Sequence, residues 1–467
     1  MEEDVTGDTK EREGATKAIS ISEDNQGVGQ DAELRKRRGE SGSGRKRQKK
    51  IVSSFLTFSY GMNPRLWPAG PSLTFKTLTR GRYIMAPHNT LLHLRTESGK
   101  PLEHRSPLTP STAKALIDDG YVLEVEKSDT GSSYHRIFSD DEFEKVGAKL
   151  VPETSWTDSK GTIIGLKELP EEDWPIEHRM VHFAHCYKGQ SGWEKVLSRF
   201  PRGGGTLYDL EFLQDEAGRR VAAFGYHAGF AGAALAIKAW SWQLTHTANE
   251  PLPGVAQFTE GRGYYRNEDE LIAQLREDVE IGAKVIGRKP RSMIMGALGR
   301  CGRGACDLLA KAGIPEENLV KWDIDETRDN PGPYQEIVES DVFINAIYLM
   351  HKIPPFVDFV TLDAPARKLS VICDVSCDPN SANNPLPIYT EYTTFTNPTT
   401  PVKQNIAGPP LTVISIDHLP SLLPREASEA FSSALLPSLL QLKDITTARV
   451  WTDAEKLFQE KCATLPK

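Results

Sequence analysis

The chain of 467 residues is long enough for two domains with separate cores, and 39% of its residues are hydrophobic. Charged residues make up 26% and the net charge is −8, values ordinary for a soluble globular protein. No apolar run approaches the length needed to cross a membrane, and the polar start argues against secretion. The six cysteines predict reduced thiols in an intracellular protein. Because Cys373 and Cys377 lack the second pair of a zinc site, no metal is expected.

Residues 1–84 are predicted to be a disordered extension. Their low apolar content cannot offset the chain entropy lost on folding. A run rich in lysine and arginine at 35–50 could be a nuclear localisation signal or a nucleic-acid patch. A solvated basic tail is the simpler interpretation. Met85, where the ordered pattern begins, is an alternative start.

From residue 90 onward the pattern is α/β. Strands are predicted at 90–95 and 121–126, with a helix between them that begins at Thr109 or Ser111. Two further strands, 161–167 and 180–185, end on Lys167 and His185. Polar residues at the carboxyl ends of parallel strands are where an open α/β sheet carries its ligand crevice.

The segment 291–325 has the order of a nucleotide-binding βαβ unit. A short apolar run, 293–295, is followed by the glycine turn Gly296-Ala-Leu-Gly299-Arg-Cys-Gly302 and by a helical pattern. Glycines let the backbone approach a pyrophosphate at a helix N-terminus. Asp323, which closes the next apolar run, can accept ribose hydroxyls and repel a 2′-phosphate, so NAD is predicted over NADP. The spacing G-x-x-G-x-x-G departs from G-x-G-x-x-G, and an ordinary tight turn would also explain the glycines alone.

The remaining patterns complete two doubly wound halves. A Gly/Ala-rich helix through 230–240 suits close helix packing between domains, and Pro424 opens a C-terminal helix. Further strands are predicted to end at Asn345, Asp374 and Asp417. The predicted fold class is therefore α/β, with two Rossmann-like domains, a cleft between them and the disordered extension before them. The expected domains are 85–224, completed by helices within 425–467, and an NAD-binding domain at 225–424.

Eight motifs after Met85 resemble those of the fungal saccharopine dehydrogenases (NAD+, L-lysine-forming), of the alanine dehydrogenase-like superfamily. They follow the family order and cover nearly all of the chain from residue 85 but none of 1–84. The motifs are HLRTESGKPLEHRSPLTP (93–110), IIGLKELPE (163–171), HFAHCYKGQSGW (182–193), GTLYDLEFL (205–213), GRRVAAFGYHAGFAGAAL (218–235), GALGRCGRGA (296–305), FINAIYL (343–349) and SIDHLPSLLPREAS (415–428).

The resemblance implies an oxidoreductase of lysine biosynthesis, acting in the last step of the α-aminoadipate pathway. Saccharopine, water and NAD+ would give L-lysine, 2-oxoglutarate and NADH. Such chemistry needs a base for the secondary amine and proton transfers for imine hydrolysis, which a lysine and a histidine can supply. Lys167 and His185 match the family's acid–base pair. On residue types alone, the first could be a solvated lysine and the second a core histidine.

The resemblance also implies the binding residues, and guanidinium groups suit carboxylate recognition. Glu168 and Glu211 lie beside these motifs and could adjust neighbouring pKa values, although solvated acids would look the same. The substrate-binding positions are Arg105, Lys167, Lys188, Gln190, Arg220 and Phe224. The NAD-binding positions are Arg219, Gly299, Arg300, Asp323, Thr327, Tyr348, Val375, Ser376, Ile416, Asp417, His418 and Leu419.

Two departures from the family pattern stand out. Cys301 matches a cysteine that can form a disulfide in the family, but its partner position holds Ala346, so redox control through that bond is in doubt. The family's peroxisomal tripeptide is replaced by Thr-Leu-Pro-Lys467. We therefore expect a cytoplasmic monomer with no membrane or nucleic-acid partner, and the basic run leaves a nuclear location open.

Two other functions are kept as alternatives. An alanine dehydrogenase-like enzyme of the same fold would hold one carboxylate instead of three, so the number of basic side chains in the cleft discriminates. A nucleic-acid-binding protein that uses residues 35–50 would show strongly salt-dependent DNA binding.

Overall fold

Two six-stranded sheets form the framework of the part of the chain that this computed structural model describes. The described residues are 91–466, with gaps at 98, 101, 129–134, 171, 248–249, 378 and 403–405. They belong to one compact unit. The predicted extension 1–84 lies outside the described residues.

The first sheet is entirely parallel, with strand order β3-β2-β1-β4-β5-β6. This is the Rossmann order, with the switch point between β1 and β4. Its strands are β1 (Leu91–Leu94), β2 (Val122–Glu126), β3 (Lys149–Val151), β4 (Thr162–Ile164), β5 (Arg179–His182) and β6 (Thr206–Asp209). The connecting helices are α1 (Pro110–Asp118), α2 (Asp140–Lys145) and α3 (Trp193–Gly203). Thr109 caps α1 as predicted, in a reciprocal capping box with Thr112.

The second sheet has the order β11-β12-β10-β9-β7-β8, parallel except for the edge strand β11. Its parallel part is the other doubly wound order, with its switch point between β7 and β9. The helices before and within this half are α4 (Gly225–Thr245), α5 (Glu268–Ile286), α6 (Arg300–Lys311), α7 (Ile324–Thr327), α8 (Gln335–Val338) and α9 (Phe359–Leu362). The strands are β7 (Ser292–Met295), β8 (Leu319–Trp322), β9 (Val342–Asn345), β10 (Val371–Asp374), β11 (Thr400–Pro401) and β12 (Thr412–Ile414).

Helix α4 packs against α6 at backbone distance. A Cβ added at Gly229 would lie 1.7 Å from the carbonyl oxygen of Cys301, and one at Gly304 would lie 1.9 Å from that of Tyr226. Only glycine allows this approach, which explains the Gly/Ala-rich sequence of α4. The packing fixes the glycine turn before α6 relative to the chain that enters α4.

The chain returns to the first sheet at its C-terminal end through α10 (Pro424–Leu439) and α11 (Arg449–Cys462). Phe431, Leu435 and Trp451 are fully buried in the core that α1 and the first sheet build. The Tyr121 hydroxyl donates to the carbonyl of Leu439 at 3.1 Å. Five short 3₁₀ helices complete the described structure, at Ser155–Asp158, Val255–Phe258, Glu316–Asn318, Leu419–Leu422 and Leu442–Asp444.

The two sheets confirm the α/β class with two doubly wound halves. Several strands are shorter than predicted. Strand β4 ends at Ile164 and β5 at His182, so Lys167 and His185 each stand three residues beyond a strand end. Strands β3, β6 and β11 were not predicted; β3 and β11, with three and two residues, are too short to show a period. No helix in the described ranges is long and apolar enough to span a membrane.

Candidate active site

A cleft of about 490 Å³ opens where the carboxyl ends of β4 and β5 meet the chain that follows β12. The first sheet and the entry to α4 supply most of its lining, and the second sheet supplies the residues after β12. The lining residues are Arg105, Leu166, Lys167, Phe183, His185, Arg220, Ala223, Phe224, Gly225, Ala228, Asp417, His418 and Pro420. Six residues predicted to bind substrate or cofactor thus share one cavity with the predicted catalytic residue His185.

The backbone of Lys167 is fixed by buried polar side chains. The Glu97 carboxylate accepts the N–H groups of Leu166 at 2.6 Å and of Lys167 at 3.1 Å. The Lys167 carbonyl accepts from Nη2 of Arg95 and from Nδ1 of His182, the latter at 3.1 Å. Glu97 is only 2% exposed. Among the described residues we find no hydrogen bond or ion pair to the Lys167 ammonium, which is therefore available to a molecule in the cleft.

His185 adopts a left-handed backbone conformation, with φ of 51°. Histidine is among the non-glycine residues that tolerate this region. Within the described part of the chain neither ring nitrogen has a hydrogen-bond partner, although both are buried. Burial and the nearby charge of Lys167 lower the pKa of His185 to about 4, while Glu168 opposes this shift. The imidazole is neutral at physiological pH and can act as a base.

Glu168 interacts electrostatically with both candidate catalytic groups. Its Oε2 is 3.9 Å from Nε2 of His185, and its Oε1 is paired with Lys100. Burial alone would raise the pKa of Glu168, but Lys167 and Lys100 lower it to about 2. The carboxylate is therefore ionised throughout the physiological range and acts on both neighbours as a fixed negative charge.

Arg105 is held in a fixed orientation at the wall of the cleft. Its Nε and Nη2 donate to the two oxygens of Glu103 at 2.7 and 2.6 Å, a bidentate pair. The guanidinium also lies 4.3 Å from the ring centre of Phe224, which in turn stacks on Phe431. Glu103 was not predicted. Burial raises its pKa, but Arg105 more than compensates and keeps the carboxyl ionised.

Arg220 lines the same cavity, and its guanidinium has fewer hydrogen-bond partners than that of Arg105. Its Nε donates to the carbonyl of Ala222 at 3.1 Å, and its guanidinium lies 5.4 Å from the ring centre of Phe183. The Phe183 ring is stacked on His185. In the described ranges no carboxylate forms an ion pair with Arg220, so its charge remains available for an anionic ligand.

Lys188 and Gln190 occupy the turn that follows His185, outside the lining of the cleft. Lys188 Nζ pairs with Glu211 at 2.9 Å, and the Gln190 side-chain oxygen accepts the Lys188 N–H at 3.0 Å. Glu211 follows β6, where Asp209 accepts its N–H at 2.9 Å. The turn is thereby tied to the neighbouring strand, and substrate contacts by Lys188 and Gln190 stay predictions.

The glycine turn fits the pyrophosphate of a dinucleotide. Gly296 has φ of 86°, and a Cβ at Gly302 would lie 2.1 Å from the carbonyl oxygen of Gly296. Gly299 is the N-cap of α6 and makes no side-chain cap at that end of the helix, and the N-terminus of a helix favours an anion. Asp323 accepts the N–H of Leu298 at 2.9 Å and that of Ile324 at 2.9 Å, which locks the acid against the turn. These features fit NAD.

The other predicted cofactor positions are spread over the second half, apart from Arg219, which lies in the first. Arg300 donates to the carbonyl of Arg220 at 3.2 Å and so links the glycine turn to the cleft. Tyr348 and Ser376 line a separate cavity of about 200 Å³, and Thr327 donates to the Asp323 carbonyl at 3.1 Å. Arg219 is 73% exposed, paired with Asp215, and does not line the cleft.

The last strand supplies both buried and cleft-facing residues. Asp417 and His418, which follow β12, line the cleft, whereas Ile416 and Leu419 are buried in the core, as is Val375 after β10. Burial, with Arg105 and Lys167, lowers the pKa of His418 to about 4, and Glu103 acts in the opposite direction. His418 is therefore a neutral histidine at the cleft wall.

Comparisons with known proteins give the family. Residues 93–231 match the family model described as alanine dehydrogenase/PNT, N-terminal domain. The saccharopine dehydrogenase [NAD(+), L-lysine-forming] of Neurospora crassa is 58% identical over 385 residues, covering 82% of this chain and 99% of that protein. The Emericella nidulans protein of the same name is 57% identical over 380 residues, covering 80% of this chain and 98% of that protein. The chain belongs to the L-lysine-forming saccharopine dehydrogenases.

A solved L-alanine dehydrogenase has the same fold as this saccharopine dehydrogenase family member. It superposes with a TM-score of 0.51 at 16% identity and covers 79% of this chain and 99% of that one. At this identity the likeness concerns the fold alone. It gives no support to the alanine dehydrogenase alternative.

Sequence reasoning missed four polar residues that support the site: Glu97, Glu103, His182 and Asp209. Asp209 accepts the N–H of Ala184 at 3.2 Å and so braces the residue before His185. Burial lowers the pKa of His182 to about 3 and raises those of Glu97 and Asp209, the last to about 7. The one available signal was that all four lie within the family motifs, as Glu103 does two positions before Arg105.

All six cysteines are free thiols and lie within the described ranges. Cys301 and Ala346 are both buried in the core of the second half, and no disulfide can join them because alanine has no thiol. Among the described residues no group of three or more histidine, cysteine or acidic side chains could hold a metal ion.

Proposed function

We propose that the cleft binds saccharopine beside NAD+, and that Lys167 and His185 carry out the proton transfers of its conversion. Saccharopine, NAD+ and water give L-lysine, 2-oxoglutarate, NADH and a proton. One observation carries the proposal. A single cavity holds an ammonium without a partner among the described residues, a neutral histidine with both nitrogens available, and two guanidinium groups.

The charges of the cleft favour a substrate with several carboxylates. Arg105, Lys167 and Arg220 all line it, and saccharopine carries three carboxylates where alanine carries one. We assign Arg220 and the outward N–H groups of Arg105 to carboxylate binding, because a guanidinium forms two parallel hydrogen bonds with a carboxylate. Phe224, which lies under Arg105, would shield these contacts from water.

The second half would hold NAD+ through the glycine turn, the start of α6 and Asp323. Once bound, NAD+ supplies the acceptor for the hydride that leaves the substrate carbon next to the secondary amine. Asp323 would accept ribose hydroxyls with the lone pairs that Leu298 and Ile324 leave available. Asp417 and His418 would bring this half into contact with the substrate.

The proton transfers divide between two groups. Lys167, once its own proton has left the ammonium, accepts the proton of the substrate amine, which must be neutral before hydride leaves the adjacent carbon. Water then adds to the imine carbon while His185 accepts its proton. As the C–N bond of the carbinolamine breaks, the proton held by His185 passes to the leaving nitrogen of lysine, and the imidazole, neutral again, accepts the hydroxyl proton. Of the protons then on Lys167 and His185, one protonates the ε-amine of lysine and one is released. His185 suits both steps because it is neutral before it acts.

The proposal extends to domain organisation and location. We assign 85–224 with the helices of 425–467 to the substrate domain and 225–424 to the NAD domain, in line with the core that α10 shares with the first sheet. We also propose a monomer and a cytoplasmic location. The six unpaired thiols support the location, since reduced thiols suit a reducing compartment. Light scattering after gel filtration and cell fractionation test these two properties.

An assay of NADH formation tests the function directly. The purified chain is expected to reduce NAD+ with saccharopine, and NADP+ or alanine should support far lower rates. Comparable rates with alanine would contradict the tricarboxylate cleft. Equal use of NADP+ would contradict the assignment of Asp323.

A further inference from the structure

Lys167 and His185 are the two candidate catalytic residues, yet both stand on loops beyond the strands that lead to them. Parallel pairing ends with Arg95 N–H donating to the Ile164 carbonyl, Gly165 N–H to Val181, and Phe183 N–H to Leu166. Past this point the loops need other partners, because buried backbone N–H groups are costly to leave unpaired.

Two buried carboxylates supply those partners, one from each flanking strand. In the sheet order β1-β4-β5-β6, Glu97 follows β1 and Asp209 ends β6. Glu97 accepts the Leu166 and Lys167 N–H groups, one on each oxygen, at 2.6 and 3.1 Å. Asp209 accepts the Ala184 and Glu211 N–H groups, again one on each oxygen, at 3.2 and 2.9 Å.

We infer that Glu97 and Asp209 are positioning residues for the two proton-transfer groups, Glu97 for Lys167 and Asp209 for His185. Each replaces the backbone carbonyl that the adjacent strand would have offered had the ladder continued. The inference rests on the proposed roles of Lys167 and His185. Neither carboxylate lines the cleft, so each acts through the backbone of its partner.

The left-handed conformation of His185 explains why the loop needs the hydrogen bonds that Asp209 accepts. With φ of 51° the residue turns sharply out of the strand direction, and Ala184 is the last residue before that turn. The Asp209 oxygen on the Ala184 N–H fixes where the turn begins. Glu97 has a comparable support, since Arg95 lies 3.2 Å from its carboxylate and also binds the Lys167 carbonyl.

Substituting the carboxylate by an amide removes one of its two acceptor oxygens while the side chain keeps nearly the same shape. A carboxylate accepts on both oxygens, whereas an amide has one oxygen and one NH₂. Glu97→Gln and Asp209→Asn therefore leave one loop N–H facing a donor. We expect kcat to fall at least tenfold and up to about 10²-fold in each, because small misplacements of a catalytic group have effects of this size. Kinetics at pH 8 keep Asp209 ionised in the wild type.

Double-mutant cycles separate positioning from a general structural effect. In a His185→Gln background, Asp209→Asn is expected to lower kcat less than twofold further, while in a Lys167→Met background its full effect should remain. Glu97→Gln should show the reverse pattern. The matched control is Asp140→Asn, since Asp140 is also buried and holds the Ser128 N–H after β2, away from the two catalytic loops. It should leave kcat and the pH profile unchanged.

Several results would overturn the inference. These are a change in kcat below twofold for both amide variants, a loss confined to KM, or a loss of equal size in both backgrounds. If an amide variant fails to fold, Glu97→Asp and Asp209→Glu take its place, since they keep the charge but displace the oxygens by one methylene. Should Lys167→Met and His185→Gln themselves leave kcat intact, the proposed function fails, whereas intact kcat in the amide variants alone overturns only the positioning.

Discussion

At the carboxyl edge of the first sheet, β4 and β5 lead to charged side chains, whereas β7 in the second sheet leads to a glycine turn that presents backbone. Lys167 and His185 stand in the cleft with no hydrogen-bond partner for the ammonium or the ring among the described residues. The start of α6 instead offers a helix N-terminus, and Gly302 allows the turn to close on itself. Proton transfer needs groups that change charge, while pyrophosphate binding needs donors that do not.

The halves also differ in what fixes these groups. In the first half buried carboxylates hold loop backbone beyond the strand ends, as Glu97 does for Lys167. In the second half close helix packing fixes the glycine turn, since the backbones of α4 and α6 approach each other at Gly229 and Gly304. Substitutions should therefore alter kcat mainly in the first half and cofactor affinity mainly in the second.

The largest effects are expected from the two proton-transfer groups. Lys167→Met and His185→Gln should lower kcat by about 10²–10⁴ and reshape the pH profile, because each removes a positioned acid–base group. Substrate affinity should stay nearly intact, as measured by saccharopine binding in the absence of turnover. If either variant kept wild-type kcat, that residue would have no part in the chemistry.

Alanine variants of the two cleft arginines should both weaken substrate binding, but only one of them should lower the stability of the fold. Arg220→Ala is expected to raise KM for saccharopine about 10- to 100-fold at nearly constant kcat, since a hydrogen bond to a charged group contributes about 1.5–3 kcal/mol. Arg105→Ala should raise KM as well and also lower the melting temperature, because it strands the buried Glu103 carboxylate. Equal melting temperatures in the two variants would contradict this difference.

On the cofactor side, Asp323→Ser should weaken NAD+ about tenfold, within the range for hydrogen bonds to a charged group. It should also narrow the preference for NAD+ over NADP+, because the charge that repels a 2′-phosphate is lost. Steady-state kinetics with both cofactors measure the ratio. An unchanged ratio would show that another group selects the cofactor, and kcat with saturating NAD+ serves as the control.

A smaller effect is expected from Glu168→Gln. The Glu168 carboxylate opposes the lowering of the His185 pKa, so its removal should move the acidic limb of the kcat/KM profile, where His185 takes up a proton, to lower pH. The same profile in the Asp140→Asn variant provides the control. A shift of the limb to higher pH would exclude His185 as the titrating group.

The smallest effect concerns stability and pH. Burial and Glu211 raise the pKa of Asp209 to about 7 from its ordinary 3.8, so between these values the folded chain holds a proton that the unfolded chain lacks. This carboxyl therefore adds stability as the pH falls from about 7 towards 4 and loses it as the pH rises through 7. The difference in unfolding free energy between wild type and Asp209→Asn, from urea denaturation, should shift in favour of the wild type from pH 8 to pH 5. A constant difference would contradict the raised pKa.

The sequence by itself determined the parts of this protein whose signals are local. The apolar run, glycine turn and acid at 293–323 predicted a nucleotide unit, and the motifs around Lys167 and His185 predicted both family and chemistry. Thr109 was one of two predicted helix caps and is the one observed, because a cap needs only the next three residues. These features depend on neighbours along the chain.

Only the tertiary structure decided which side chains serve the site from a distance. Arg219 and Arg220 are adjacent in sequence, yet Arg220 lines the cleft and Arg219 pairs with Asp215 at the surface. Glu97 lies 70 positions before Lys167 and reaches it because β1 and β4 are neighbours in the sheet. Such pairings depend on strand order and on where each ladder stops, and both are set by the packing of the whole sheet, which no local pattern records.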